Sequence, residues 1–102
     1  MNNTVQWLNH TFTVYLQSAQ WNNVAGIYIF AGLNEQNQWV PLYIGKCDSF
    51  DDRIPSHEQW DTAMSLGATH VHAMKVDAPK DRDLIEQELI RVFQPRLNTQ
   101  LR

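Results

Sequence analysis

Apolar and polar positions alternate most regularly over residues 26–46. The run Gly26-Ile27-Tyr28-Ile29-Phe30-Ala31 is followed by the polar stretch Gly32-Leu33-Asn34-Glu35-Gln36-Asn37-Gln38, then by a second apolar run from Trp39 to Lys46. β-Branched and aromatic runs flanking a polar, glycine-containing stretch predict a hairpin. A loop symmetric about residues 35 and 36 sets Tyr28 opposite Tyr43 and Gly26 opposite Gly45, with Ile27 against Ile44 and Ile29 against Leu42 on the other face. One face is then aliphatic and suited to a core, and the other carries two tyrosines flanked by two glycines. A slip of one residue would mix the two.

Beyond the hairpin, Asp48 to Asp52 offers acidic starting residues for a helix that runs to about Leu66, with Gly67 ending it and Pro55 held to the first turn. On such a helix Arg53, His57, Trp60 and Met64 form one stripe. His70 to Val76 predicts a third strand. Pro79-Lys80-Asp81 opens a second helix that continues to about Gln94, with Ile85, Leu89, Val92 and Phe93 as its buried face. Pro95 stops it and leaves Pro95-Arg96-Leu97-Asn98 extended. Within residues 1–24, Leu8, Phe12, Tyr15, Leu16 and Ala19 fit a helical face, while Phe12, Val14 and Leu16 fit strand alternation equally well. The expected fold is of the α/β (α+β) class: a small antiparallel three-stranded sheet flanked by helices, in a domain over residues 25–102 with residues 1–24 packed on it.

Composition narrows the functional classes. A chain of 102 residues with 43% apolar positions forms one folded core rather than a disordered segment. No apolar run approaches the roughly 20 residues of a membrane helix. The single cysteine, Cys47, allows no intrachain disulfide, and the start MNNTVQWLNH has neither the basic nor the apolar part of a secretory signal, so a cytoplasmic protein is expected. Eight Lys and Arg against eleven Asp and Glu give a net charge of −3, which speaks against nucleic-acid binding by the whole surface. The distribution is uneven, however. Residues 1–45 carry one formal charge, Glu35, and every cation falls between Lys46 and Arg102.

Gly26-Ile27-Tyr28 followed by Tyr43-Ile44-Gly45 resembles the paired motif that names the GIY-YIG nuclease superfamily. Four further elements stand in that family's order and spacing: Arg53 ten residues after the second tyrosine, His57 four beyond it, Glu86 in a helix, and Asn98 after a proline. The resemblance spans about residues 25–99. It implies metal-dependent hydrolysis of DNA phosphodiester bonds by an attacking water, with Tyr28, Tyr43, Arg53, His57, Glu86 and Asn98 as catalytic residues. The residue types suit that chemistry. Arg53 offers a fork of donors to a phosphate. Glu86 supplies one carboxylate to Mg²⁺ or Mn²⁺, whose remaining positions are filled by waters and phosphate oxygens. Tyr43, His57 and Tyr28 are the candidates for water activation or leaving-group protonation, with no assignment among them. Asn98 positions Glu86 or a backbone segment, and Gly45, Lys46 and Arg96 are the expected substrate contacts.

Other arrangements carry less. His70 and His72 alternate on a strand and, with Cys47 or His57, suggest a zinc site that no second metal-type pair supports. Asp48, Asp51 and Asp52 stand beside the expected phosphate site, where they can cap a helix or pair with Arg53. No helix-turn-helix, zinc finger or basic tail accompanies the motifs, so DNA affinity is expected from a partner protein or a homodimer. Two rival functions remain: a nucleic-acid-binding module that keeps the cations without cleaving, and a protein-interaction module docking through the tryptophan-bearing N-terminal segment. The nuclease reading predicts an acidic protein with a small basic cleft.

Overall fold

The computed structural model describes residues 3–100. Its sheet contains strands β1 (Thr4–Trp7), β2 (His10–Tyr15), β3 (Gly26–Leu33), β4 (Trp39–Cys47) and β5 (His70–Lys75). All pairings are antiparallel, in the order β1-β2-β5-β3-β4. The expected antiparallel α+β sheet is present, but it has five strands rather than three. The extra pair comes from the N-terminal segment, where Phe12 and Val14 follow the strand alternation and the helical reading fails. β2 pairs with β5 through Thr13↔Ala73, so this hairpin extends the sheet.

The two sheet faces carry separate cores. On one, Tyr28, Phe30, Val71 and Ala73 pack with Phe50, Ile54, Ala63 and Leu97. On the other, Trp7, Phe12, Ile27, Ile29 and Ile44 meet Leu89 of helix α3 (Pro79–Phe93), with Ile85, Ile90 and Phe93 beside it. The predicted helix over residues 79–94 is thus confirmed, with Pro79 in the first turn, where its missing N–H costs nothing. Gln94 adopts the left-handed conformation at φ 45 and Pro95 follows. Val92, expected in the buried face, is exposed.

The β3–β4 register differs from the symmetric expectation by two residues. Tyr28 stands opposite Gly45, Ile29 opposite Ile44, and Phe30 opposite Tyr43, with a bulge between Phe30 and Ala31. A shift of two preserves the face of each side chain, so Tyr28 and Tyr43 still share one face, as diagonal rather than direct partners. The bulge does change Leu42, which packs in the Tyr28 core instead of against Ile29.

The long helix expected from Asp48 to Leu66 is two short ones, α1 (Phe50–Arg53) and α2 (Trp60–Ser65), joined by an irregular turn containing Pro55. Ser49, not an aspartate, caps α1 by accepting the Asp52 amide at 3.3 Å. The stripe Arg53-His57-Trp60-Met64 is therefore not a helical face. Trp60 packs edge-on against Phe30 at 5.0 Å, whereas Met64 is exposed. After Pro95 the chain forms helix α4 (Arg96–Gln100) rather than an extended tail.

Candidate active site

Tyr28 projects from the middle of β3, and its opposite residue has no side chain to obstruct it. A Cβ on Gly45 would lie 2.5 Å from both Cζ and Oη of Tyr28, so the ring lies directly over the Gly45 backbone. Gly26 meets a similar constraint, because a Cβ there would overlap the Met74 carbonyl of β5. The glycines of both tripeptides are thus required by close approach.

The phenol oxygen of Tyr28 lies 2.8 Å from Nε2 of His57, which enters from the turn between α1 and α2. The His57 side chain is wholly buried. Its Nδ1 accepts the Gln59 amide at 3.0 Å, which fixes the neutral tautomer with its proton on Nε2. Nε2–H therefore donates to Tyr28 Oη. Phe30 and Tyr43 pack against the imidazole at ring separations of 4.9 and 5.1 Å. Burial, aided by the Arg53 charge, lowers the His57 pKa to about 4, so the ring stays neutral at physiological pH.

Arg53 reaches the same group of side chains from the end of α1. Its two terminal nitrogens donate to Glu58 at 2.6 and 2.7 Å, a bidentate pair. This pairing holds the Glu58 carboxyl down at about 2. Burial raises the pKa of Tyr28, Tyr43 adds to the rise, and the Arg53 charge opposes it. Tyr43 is half-buried and also shifted upward by burial. Arg53 opposes that shift, while Glu58 and Glu86 reinforce it. Tyr28, Tyr43, Arg53 and His57 are therefore brought together as one electrostatic unit.

Glu86 approaches from α3. Burial raises its pKa, the Lys46 charge opposes this, and Asp83 adds to the rise. No protein donor within the described residues reaches the Glu86 carboxylate. A half-buried carboxylate lacking a donor, next to a strand carrying Lys46, is a suitable position for a hard divalent cation. Among the described residues no three His, Cys, Asp or Glu side chains gather, so the arrangement fits a single-carboxylate site with water completing the shell, not a protein cage. The zinc alternative lacks a ligand set. His72 lies on the α3 side of the sheet with Nδ1 taken by Trp7 at 2.9 Å, whereas His57 lies on the opposite side.

Asn98 binds the outer edge of β4, not Glu86. Its carboxamide accepts the Ile44 amide and donates to the Ile44 carbonyl, both at 2.8 Å. It thereby completes the hydrogen bonds of an edge strand between Tyr43 and Gly45. Lys46 is exposed and pairs with Asp83. Arg96 is exposed at the start of α4, and its carbonyl accepts the Thr99 hydroxyl at 2.9 Å.

Several participants lie outside the residues that the sequence pattern singles out. Glu58, rather than any of Asp48, Asp51 and Asp52, is the partner of Arg53, and its position directly after His57 was the available signal. Asp48 instead pairs at 2.9 Å with Arg82, a buried arginine that also donates to the Val76 and Asp77 carbonyls. Arg53 and Lys46, two of the cations expected in a basic cleft, each face a carboxylate.

No protein-family model matches the chain. No curated protein matches it significantly. Solved structures do. The magnesium-bound GIY-YIG N-terminal endonuclease domain of UvrC from Thermotoga maritima is 24% identical, with a TM-score of 0.60 over 74% of this chain and 84% of that one. A tyrosine-to-phenylalanine variant of that domain, bound to its catalytic divalent cation, is 25% identical, with a TM-score of 0.58 over 74% and 83%. The chain has the GIY-YIG endonuclease fold, as the paired tripeptides implied.

Proposed function

We propose that this chain is a divalent-metal-dependent endonuclease that hydrolyses DNA phosphodiester bonds. The observation that carries the reading is the enclosed contact between Tyr28 Oη and His57 Nε2, placed beside Arg53 and Tyr43, with the Glu86 carboxylate near enough to act on the Tyr43 phenol. A buried phenol and imidazole joined in this way, with a guanidinium at their margin, exceed what packing between a sheet and two short helices requires.

In this reading Arg53 holds two oxygens of the scissile phosphate and stabilises the charge that develops on it. Glu86 holds Mg²⁺ or Mn²⁺, which supplies neutralisation of negative charge and a more acidic water. His57 is a positioning residue: its Nε2–H fixes the Tyr28 oxygen, and its tautomer leaves no lone pair facing the site. Tyr28 accepts a hydrogen bond from His57, and the Arg53 charge partly offsets the rise that burial imposes on its pKa, an arrangement that holds the phenol oxygen where it can orient the attacking water. Tyr43, half-exposed beside it, orients the water or the leaving oxygen. Gly45 gives the Tyr28 ring its space, Asn98 fixes the β4 edge, and Lys46 and Arg96 contact flanking phosphates.

The small number of available cations leaves DNA affinity to a partner protein or to a second copy of this chain. The alternative, a module that keeps the fold and binds without cleaving, draws on the same pairing of Arg53 and Lys46 with carboxylates. Incubating plasmid DNA with the protein and Mg²⁺ or Mn²⁺, beside Glu86→Gln and Arg53→Ala, separates the two. Nicking by the parent and not the variants supports hydrolysis. A gel shift without nicking by any of the three supports the binding module.

A further inference from the structure

The Arg53 fork is already filled. Both terminal nitrogens that would meet the two non-bridging oxygens of a phosphodiester instead meet the two oxygens of Glu58, at 2.6 and 2.7 Å. We propose that Glu58 is an internal stand-in for the substrate phosphate, so that DNA enters this site by exchanging with the Glu58 carboxylate on Arg53 rather than by occupying a free cation. The inference rests on the nuclease reading and specifies how that site is regulated.

Three features separate this contact from a structural ion pair. The first is freedom to leave. The Glu58 side chain is 62% exposed, and among the described residues the one ring or cationic group it approaches besides Arg53 is His57 Nδ1, at 3.7 Å. Its carboxylate therefore rotates into water without stranding a buried group. The second is the backbone. Glu58 sits in the turn between α1 and α2, and the Gln59 amide holds His57 Nδ1 on the other side of it. His57 and Gln59 thus stay anchored to Tyr28 while the intervening side chain moves, and no helical hydrogen bond has to break.

The third is the contrast with Arg82. That guanidinium is 7% exposed and bonded to two backbone carbonyls as well as Asp48, which makes it a fixed strut between the β5–α3 connection and the end of β4. Among the described residues Arg53 has no such carbonyl partners, and Glu58 is the one carboxylate that neutralises it. Lys46 repeats the pattern on the other side of β4, where the exposed Asp83 carboxylate lies against its ammonium. Two cations expected to meet phosphate are thus covered by carboxylates on flexible, solvated side chains. An acidic protein covered in this way repels polyanions in general, yet releases a bidentate cation to a ligand with two oxygens at carboxylate-like spacing.

The test measures binding of a short fluorescent DNA duplex to the full-length protein in EDTA, so that affinity is read without cleavage. The proteins are the parent, Glu58→Gln, Arg53→Ala and the double variant. Because Glu58 is solvated, Glu58→Gln is expected to fold normally, as checked by circular dichroism. The expected result is roughly fivefold tighter binding by Glu58→Gln, the scale of one exposed ion pair that no longer has to be broken, and no gain from Glu58→Gln when Arg53 is alanine. Unchanged or weaker binding by Glu58→Gln overturns the proposal. An equal gain in the Arg53→Ala background also overturns it, since that gain would reflect net charge alone. If the parent nicks plasmid DNA with Mg²⁺ while Glu58→Gln gains no affinity, the nuclease reading stands and this one fails. If Glu58→Gln gains affinity through Arg53 but nothing is cut, the exchange stands and hydrolysis fails. Absence of binding by parent and variants alike overturns the exchange, while the nuclease reading stands or falls on plasmid nicking with Mg²⁺.

Discussion

Replacing Gly45 with alanine tests the geometry of the paired tripeptides without removing any polar group. The added methyl would sit 2.5 Å from Cζ and Oη of Tyr28 and 2.8 Å from Cε2. Carbon atoms rest at about 3.5–4.0 Å, so the ring must withdraw by about 1 Å. It has no empty space to enter, because Tyr28 is 1% exposed and packed among Phe30, Tyr43 and His57. The Tyr28–His57 contact, 2.8 Å at present, would then stretch beyond hydrogen-bond range. Overpacking of this kind costs about 1–3 kcal/mol. Urea titration followed by tryptophan fluorescence should show that loss. The coupling is specific: when Tyr28 is alanine, the same change at residue 45 should cost little, giving an interaction energy of about 1 kcal/mol or more. A Gly45→Ala protein within about 0.5 kcal/mol of the parent, or an equal cost in both backgrounds, would refute the reasoning.

Three other outcomes follow from the same contacts. Burial lowers both His57 and His72 from 6.5 to about 4, so the unfolded chain binds more protons than the folded one between those values. Stability is therefore full above pH 6.5 and falls as the pH drops toward 4, with a slope of up to about 1.4 kcal/mol per pH unit for each histidine. In His72→Phe the slope over that window should be roughly half the parental one, and a flat parental profile in denaturant titrations would contradict it. Asn98→Ala removes both bonds to Ile44 at the edge of β4. It should cost about 1–2 kcal/mol and speed hydrogen exchange at the Ile44 amide above that of other β4 amides; uniform exchange across the strand would count against the edge role. Arg82→Met leaves the Val76 and Asp77 carbonyls without their donor and should destabilise the protein by about 2–4 kcal/mol in the same titration, whereas a neutral effect would mean that the strut is dispensable.

How much of this was legible in the sequence depends on which physical quantity each residue encodes. The face of Tyr28 and Tyr43 follows from alternation, which a two-residue register shift leaves intact. The register itself is set by the bulge at Phe30 and Ala31 and by the loop, which alternation does not report. Strand β2 was ambiguous because Phe12, Val14 and Leu16 satisfy one period while Leu8, Phe12 and Tyr15 satisfy the other, and pairing with β5 decides between them. The stripe from Arg53 to Met64 assumed an unbroken helix. Pro55 in fact separates α1 from α2, yet His57 still faces Tyr28, because the turn delivers it there and the Gln59 amide locks it. Asn98 was visible as a polar residue after a proline, but its partner, the open edge of β4, exists only once the strand order is known. Charge counting located the cations correctly and missed their pairing, since Glu58 and Asp83 lie near them in space through a turn and a helix, not through any composition.

Hydrolysis at the Glu86 site is the central claim, and cleavage of end-labelled DNA in water enriched in heavy oxygen tests it most directly. The expected result is Mg²⁺-dependent product formation with the heavy atom incorporated into the new terminal phosphate, abolished in a folded Glu86→Gln protein. Cleavage that persists in Glu86→Gln at the parental rate, or no cleavage by a folded parent with Mg²⁺ or Mn²⁺ present, would contradict it.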